Sequence, residues 1–177
     1  MIGVSESQDQ PPLERARAFE AAGDESVYES AIEEAKVNYG WAIDTFLEAR
    51  AFEEAIRICR KLIRLSPDVV RTRFTLLFLL VGLARYEEAL VALDDYVRVV
   101  QASGTRSFAV PRLQLLAHVT QDATTSARIE TILAGLGAEQ LGYSAPTTRE
   151  HLAIEPTSEA ERAERWETLL PIALRDD

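Results

Sequence analysis

The chain has 177 residues, of which 47% are apolar and 27% are charged, so it can bury an ordinary core and is not typical of a disordered protein. Its single cysteine excludes an internal disulfide, and its eight glycines and seven prolines are fewer than many short strands would need. The net charge of −10 argues against direct nucleic-acid binding, which depends on an excess of Lys and Arg.

The first predicted helix covers Leu13–Ala22 and is expected to end at Gly23. The segment Ser26-Val27-Tyr28-Glu29 has the spacing of a capping box, which predicts that a second helix begins from Val27. Glycine costs about 1 kcal/mol inside a helix. The second helix is therefore expected either to break near Asn38–Gly40 or to continue toward Ala49.

The middle of the chain has the apolar period of consecutive helices, with stops at Ser66-Pro67-Asp68 and Ser103-Gly104. The stretch Phe74–Leu83 is apolar on almost every side, which predicts a central helix. No segment alternates for long as a strand would, so the predicted class is all-α. Two further helices are expected, at about 107–120 and about 123–136.

The two ends of the chain are predicted to differ from this helical domain of residues 12–136. Residues 1–11 are polar and predict a flexible tail, and 137–156 predict an extended linker. A second capping box begins at Ser158 and predicts an amphipathic helix over 157–177, which packs on the domain as a cap or acts as a regulatory element. No signal peptide or membrane-length apolar run is recognisable, so we expect a cytoplasmic location and no membrane insertion.

An internal repeat is the most informative feature of the sequence. Phe52-Glu53-Glu54-Ala55-Ile56 recurs 34 residues later as Tyr86-Glu87-Glu88-Ala89-Leu90. Each copy is expected to open the second helix of a pair, with glutamates favoured by the helix dipole and an alanine that lets the partner helix approach. The period and these residues resemble the tetratricopeptide repeat family, although the small turn residue of the family, which is often glycine, is Arg50 in the first copy and Ala84 in the second. A fainter echo, Tyr28-Glu29-Ser30-Ala31-Ile32, has the wrong spacing.

The resemblance implies a solenoid of antiparallel helix pairs in a right-handed stack, with regular repeats at about 36–69 and 70–103 and a concave groove. Gly40 and Asp44 stand where some family members hold a carboxylate clamp, so no clamp is expected. An apolar peptide or an amphipathic helix suits such a groove. The alternative for Phe74 and Phe78 is a place in the core. The groove residues implied by the resemblance are Asp44, Leu47, Glu48, Arg71, Phe74, Phe78, Val81, Phe108 and Arg112.

A basic stripe follows the first copy of the repeat and consists of Arg57, Arg60, Lys61 and Arg64. It is interpreted either as a dock for an acidic partner or as a solvated outer face on which Glu53 pairs with Arg57 at i+4 spacing. Cys59 is expected in the core. No phosphate loop, nucleophile motif or metal-ligand spacing is present, so we expect no catalytic residues, no metal, no cofactor and no enzymatic activity.

Three functional interpretations remain open from the sequence. The first is a protein-binding adaptor or assembly factor, and the second is a small acidic chaperone of the tetratricopeptide type for a secreted or assembling client. The third is a regulatory domain that partners a transcription or signalling protein. Residues 1–50 supply no basic recognition helix, and the apolar helix Phe74–Leu83 leaves room for a homodimer.

Overall fold

The computed structural model describes residues 11–137, which form seven α-helices and no β-strand. The predicted all-α class is therefore confirmed for this part of the chain. The predicted tail, linker and C-terminal helix lie outside the described residues, apart from Pro11 and Gly137. The helices are α1 (Pro12–Tyr28), α2 (Ile32–Glu48), α3 (Phe52–Leu65), α4 (Val70–Gly82), α5 (Tyr86–Ser103), α6 (Arg106–Val119) and α7 (Ala123–Gly135).

These helices belong to two compact units that divide between Thr72 and Arg73. In the first unit, α2 packs against both α1 and α3, and Cys59 is fully buried as predicted, which raises the pKa of its thiol. In the second unit, α7 packs against α5 and α6, and Phe74 of α4 contacts the ring of Tyr96 in α5. Each unit buries aliphatic and aromatic side chains, and that burial stabilises it.

The same turn connects α1 to α2, α2 to α3 and α4 to α5. Each turn contains one non-glycine residue in the left-handed region, with φ of 61° at Ser30, 56° at Arg50 and 55° at Ala84. In each case the next N–H reaches back five residues, from Ala31 to the Ser26 carbonyl at 2.8 Å in the first turn. The corresponding bonds in the other two turns join Ala51 to Phe46 and Arg85 to Leu80. This is the Schellman arrangement, and its last residue is also the N-cap of the next helix.

The helix that follows each turn starts with the repeated sequence. Phe52 and Tyr86 are the first residues of α3 and α5, as the repeat predicted, and the alanine three residues later in each copy is fully buried. The same first-turn pattern occurs in Ile32-Glu33-Glu34-Ala35 at the start of α2, with Ala35 also fully buried, although its spacing from Phe52 is not that of the repeat. The fainter echo at Tyr28–Ile32, whose spacing is wrong for the repeat, does not begin a helix, because α1 continues to Tyr28.

Two predicted boundaries in α1 are wrong for one physical reason, which is close packing against α2. Gly23 does not end the helix but lies buried within it, where the ring of Tyr39 packs directly on it. Ser26 does not cap a new helix. Its hydroxyl instead donates to the Ala22 carbonyl at 2.9 Å and accepts from the Asn38 side chain at 3.3 Å. Along α2, Gly40 does not interrupt the helix, so the continuous alternative is correct.

Replacing the left-handed residue Ala84 by glycine should stabilise the second unit by about 0.5–1 kcal/mol, because glycine adopts this backbone conformation without steric cost. The matched control is Ala127→Gly at an exposed position inside α7, which should destabilise by about 1 kcal/mol. Urea unfolding followed by circular dichroism measures both. A loss of stability in Ala84→Gly would contradict the role given to this turn.

A methyl group at Gly23 should destabilise the first unit, because its Cβ would lie 2.7 Å from Cδ1 and Cε1 of Tyr39. We expect a cost of about 1–3 kcal/mol for Gly23→Ala. Gly40→Ala is the control within the neighbouring helix. A Cβ added at Gly40 would have no neighbouring atom within 4 Å, so this variant should be stabilised by up to about 1 kcal/mol. Thermal unfolding of the two variants should therefore shift in opposite directions. Equal shifts would exclude close packing at Gly23 as the cause.

Candidate interaction site on helix α2

The residues predicted to line a groove differ widely in exposure. Asp44 and Glu48 lie exposed on α2, Leu47 beside them is half-buried, and Arg71 is exposed. The remaining groove residues belong to the second unit, where Phe108 is half-buried. Four are buried, namely Phe74, Phe78, Val81 and Arg112.

Phe74 and Phe78 occupy the core and do not form an accessible groove wall. Their ring centroids are 5.9 Å apart, and the Phe74 ring lies 5.6 Å from that of Tyr96. Both side chains are almost completely shielded from solvent. The alternative interpretation of these two residues, a core position, is therefore the correct one, and Val81 shares it. An almost uniformly apolar helix gave no indication of which face would remain exposed.

Arg112 is also used within the fold. Its guanidinium lies 3.5 Å from the centroid of the Phe108 ring, and Nη1 donates to the Phe108 carbonyl at 3.3 Å. Stacking on an aromatic face is a favourable environment for a guanidinium that is largely removed from water. The structure therefore brings Phe108 and Arg112 into contact with each other, with Arg112 facing inward.

The exposed face of α2 carries two large apolar side chains that sequence reasoning did not assign to a site. Trp41 is 53% exposed and Val37 is 49% exposed, and they stand four residues apart on one side of the helix. Phe19 of α1 supports the indole, with ring centroids 5.4 Å apart. Asp44 continues the same face. We call Val37, Gly40, Trp41, Asp44 and Glu48 the α2 face.

The signal for this face is present in the sequence but is ambiguous. Trp41 belongs to the series of apolar residues that have the helical period, and tryptophan is usually assigned to a core. In α2 the buried positions are instead Ala35, Asn38, Tyr39, Ala42, Ile43, Thr45 and Phe46. These buried residues, which include the polar Asn38 and Thr45, form the side of α2 that packs against α1 and α3, and Trp41 lies on the opposite side of the helix.

Ion pairs fix the carboxylates at the C-terminal end of the α2 face. Arg15 of α1 binds Glu48 at 2.6 Å, and Arg71 lies 3.7 Å from Asp44. Three of these four side chains are about half exposed, so each pair contributes less than about 1 kcal/mol. Their main effect is to balance the charge beside Trp41.

Two members of the basic stripe bind carboxylates of the chain itself. Arg57 forms a bidentate pair with Glu20 of α1, and Lys61 donates to Glu20 at 2.8 Å and to Asp24 at 2.8 Å. The partner found for Arg57 thus lies on a different helix from its own. For Arg57 and Lys61, docking of an acidic partner would have to compete with these bonds. Docking of an acidic partner on Arg60 and Arg64 stays a prediction.

This α1–α3 cluster stabilises the ionised forms of the Glu20 and Asp24 carboxylates, which lowers their pKa values. The hydrogen bonds from Arg57 and Lys61 lower the pKa of Glu20 to about 2, although desolvation opposes them. Desolvation also opposes the shift at Asp24, but hydrogen bonds from Lys61 and Tyr39 lower its pKa. Burial and the 2.6 Å bond to Asp24 raise the pKa of Tyr39. The cluster therefore joins α1 to α3 through hydrogen-bonded ion pairs, and the neutral Tyr39 hydroxyl of α2 donates to Asp24.

The Glu20–Arg57 coupling should weaken in acid. Because the pKa of Glu20 is lowered on folding, its contribution to stability is complete above about pH 4.5 and is lost as the pH falls toward about 2. A double-mutant cycle with Glu20→Gln and Arg57→Met, measured by urea unfolding, should give a coupling of about 1 kcal/mol at neutral pH and a smaller one near pH 3. A coupling independent of pH would refute this assignment.

No protein-family model, curated protein or solved structure is significantly similar to the chain. Within residues 11–137, no cluster of His, Cys, Asp and Glu has a geometry that could hold a metal ion. None of the helices in that range is both long and apolar enough to cross a lipid bilayer.

Proposed function

We propose that this chain is a protein-interaction module built from tetratricopeptide-type helix pairs, and that the α2 face binds an apolar or amphipathic segment of another protein. The repeat interpretation is supported by the 34-residue spacing of α3 and α5 starts and by the common turn before them. It is also supported by the buried alanine at the same place after each turn. Docking of an amphipathic helix through its apolar face is a common mode of peptide recognition.

The observation that carries the proposal is where exposed apolar surface occurs. Among the described residues, six large apolar side chains are exposed, and five of them fall between Val27 and Trp41. Only Val91 lies elsewhere in residues 11–137. An exposed tryptophan supported by a second aromatic ring is the kind of residue that contributes most to protein interfaces. Scattered apolar residues would need no explanation, but Val37 and Trp41 lie four residues apart on one face of α2, and that pair favours a docking surface.

Site-specific photo-crosslinking tests the proposal. A benzoylphenylalanine placed at Val37 should capture a discrete partner protein from a lysate of the source organism. The same group at Val91, which is 65% exposed in α5, should not capture that protein. Both positions are exposed on helices, so the comparison separates a specific surface from general stickiness.

The crosslink should also depend on the neighbouring indole. Trp41→Gln in the Val37 crosslinking variant should lower the yield about tenfold, because the substitution removes an interface anchor while leaving an exposed position folded. Circular dichroism confirms the fold of each variant. The proposal is rejected if position 37 captures nothing, or if positions 37 and 91 capture the same proteins equally.

A further inference from the structure

The two ends of the exposed surface on α2 differ in charge. At the N-terminal end, Glu33 and Glu34 stand four and three residues before Val37, and Glu29 is exposed in the preceding turn. Between residues 24 and 34 there are five carboxylates and no Lys or Arg. Of these, Asp24 binds Lys61.

Neutralisation of this acidic end is incomplete within the first unit. Lys36 donates to Glu33 at 2.9 Å, but the Glu33 side chain remains 86% exposed. At the opposite end of the α2 face, by contrast, Arg15 and Arg71 balance Glu48 and Asp44 one for one. The surface therefore combines an apolar centre with one electronegative end and one balanced end.

We propose that the occupant of the α2 face is a basic amphipathic helix. Its apolar stripe packs on Val37 and Trp41, and its Lys or Arg residues lie over Glu29, Glu33 and Glu34. This inference rests on the proposed function and adds the chemistry of the partner. Complementary charge at a docking surface selects the partner and orients it.

The spacing on α2 sets the pattern that the partner must have. Glu33 and Trp41 are eight residues apart, which corresponds to about 12 Å along the helix axis. A partner helix aligned with α2 would therefore carry its basic residues about two turns from its main apolar anchor. Tyr28, which is 91% exposed at the end of α1, offers a further aromatic face for a cation at this end.

The test uses two synthetic helical peptides of about 18 residues with the same Leu stripe. One carries Lys about two turns from the stripe centre, and the other carries Glu at the same positions. Fluorescence anisotropy of labelled peptide with the full chain measures both affinities. The Lys peptide should bind at least about tenfold more tightly, and this preference should shrink as salt is added.

Variants of the chain assign the preference to particular residues. Glu33→Gln with Glu34→Gln should lower affinity for the Lys peptide about tenfold and remove the preference. The matched control is Glu87→Gln with Glu88→Gln, which removes the first-turn carboxylates of α5. In each helix one of the two carboxylates forms an ion pair, Glu88 with Arg85 in α5 and Glu33 with Lys36 in α2. This control should retain the preference for the Lys peptide. Trp41→Gln should weaken both peptides.

Each other outcome overturns the inference. Equal affinities that still depend on Trp41 would mean that the α2 face binds apolar helices without charge selection. The proposed function would then stand, and the inference of a basic partner would fail. A preference that survives Glu33→Gln with Glu34→Gln, or is lost equally in the α5 control, would assign it to the overall charge of the chain. If neither peptide binds, the inference fails, and crosslinking at position 37 decides separately whether the face binds a protein.

Discussion

The left-handed residue at three of the helix junctions is the constraint on which the packing of the helices it joins depends. Ser30, Arg50 and Ala84 each turn the backbone so that the next N–H returns to the helix just completed and the following residue begins a new helix. A turn this short leaves little freedom to the helix that follows. The turn brings the first turn of that helix close to its neighbours, so the residue at the contact must be small. The fully buried Ala35, Ala55 and Ala89 meet that requirement. The steric cost of the turn is offset by the packing that it makes possible.

The exposure of one side of α2 follows from how the first unit is assembled. α2 packs on α1 and α3, and these two helices are joined by the bonds from Arg57 and Lys61 to Glu20 and Asp24. The buried stripe of α2 faces this pair of helices. Trp41 and Val37 lie on its other side, so the chemistry of the candidate site is set by contacts made elsewhere. The α1–α3 cluster consequently has a structural role that a basic stripe on α3 alone does not reveal.

The exposure of the candidate site residues was only partly predictable, and the reason differs between the charged and the aromatic residues. Asp44 and Glu48 are exposed, as their charge indicates, because charged residues rarely occupy a core. Phe74, Phe78 and Trp41 are all large and aromatic, and nothing local distinguishes the two that are buried from the one that is exposed. Their exposure depends on which neighbouring helix covers each side, and that is a property of the assembled unit.

The sequence by itself determined the all-helical class, the starts of α3 and α5, and the approximate positions of the later helices, because helical periodicity and turn residues act over a few positions. It did not determine the extent of α1, since Gly23 is a helix terminator by its local preference and a packing position only when Tyr39 lies against it. Nor did it determine the partner of Arg57, because that partner, the Glu20 carboxylate, lies 37 residues away in the chain. Those features required the tertiary structure, because contacts between distant residues can outweigh local preferences of about 1 kcal/mol.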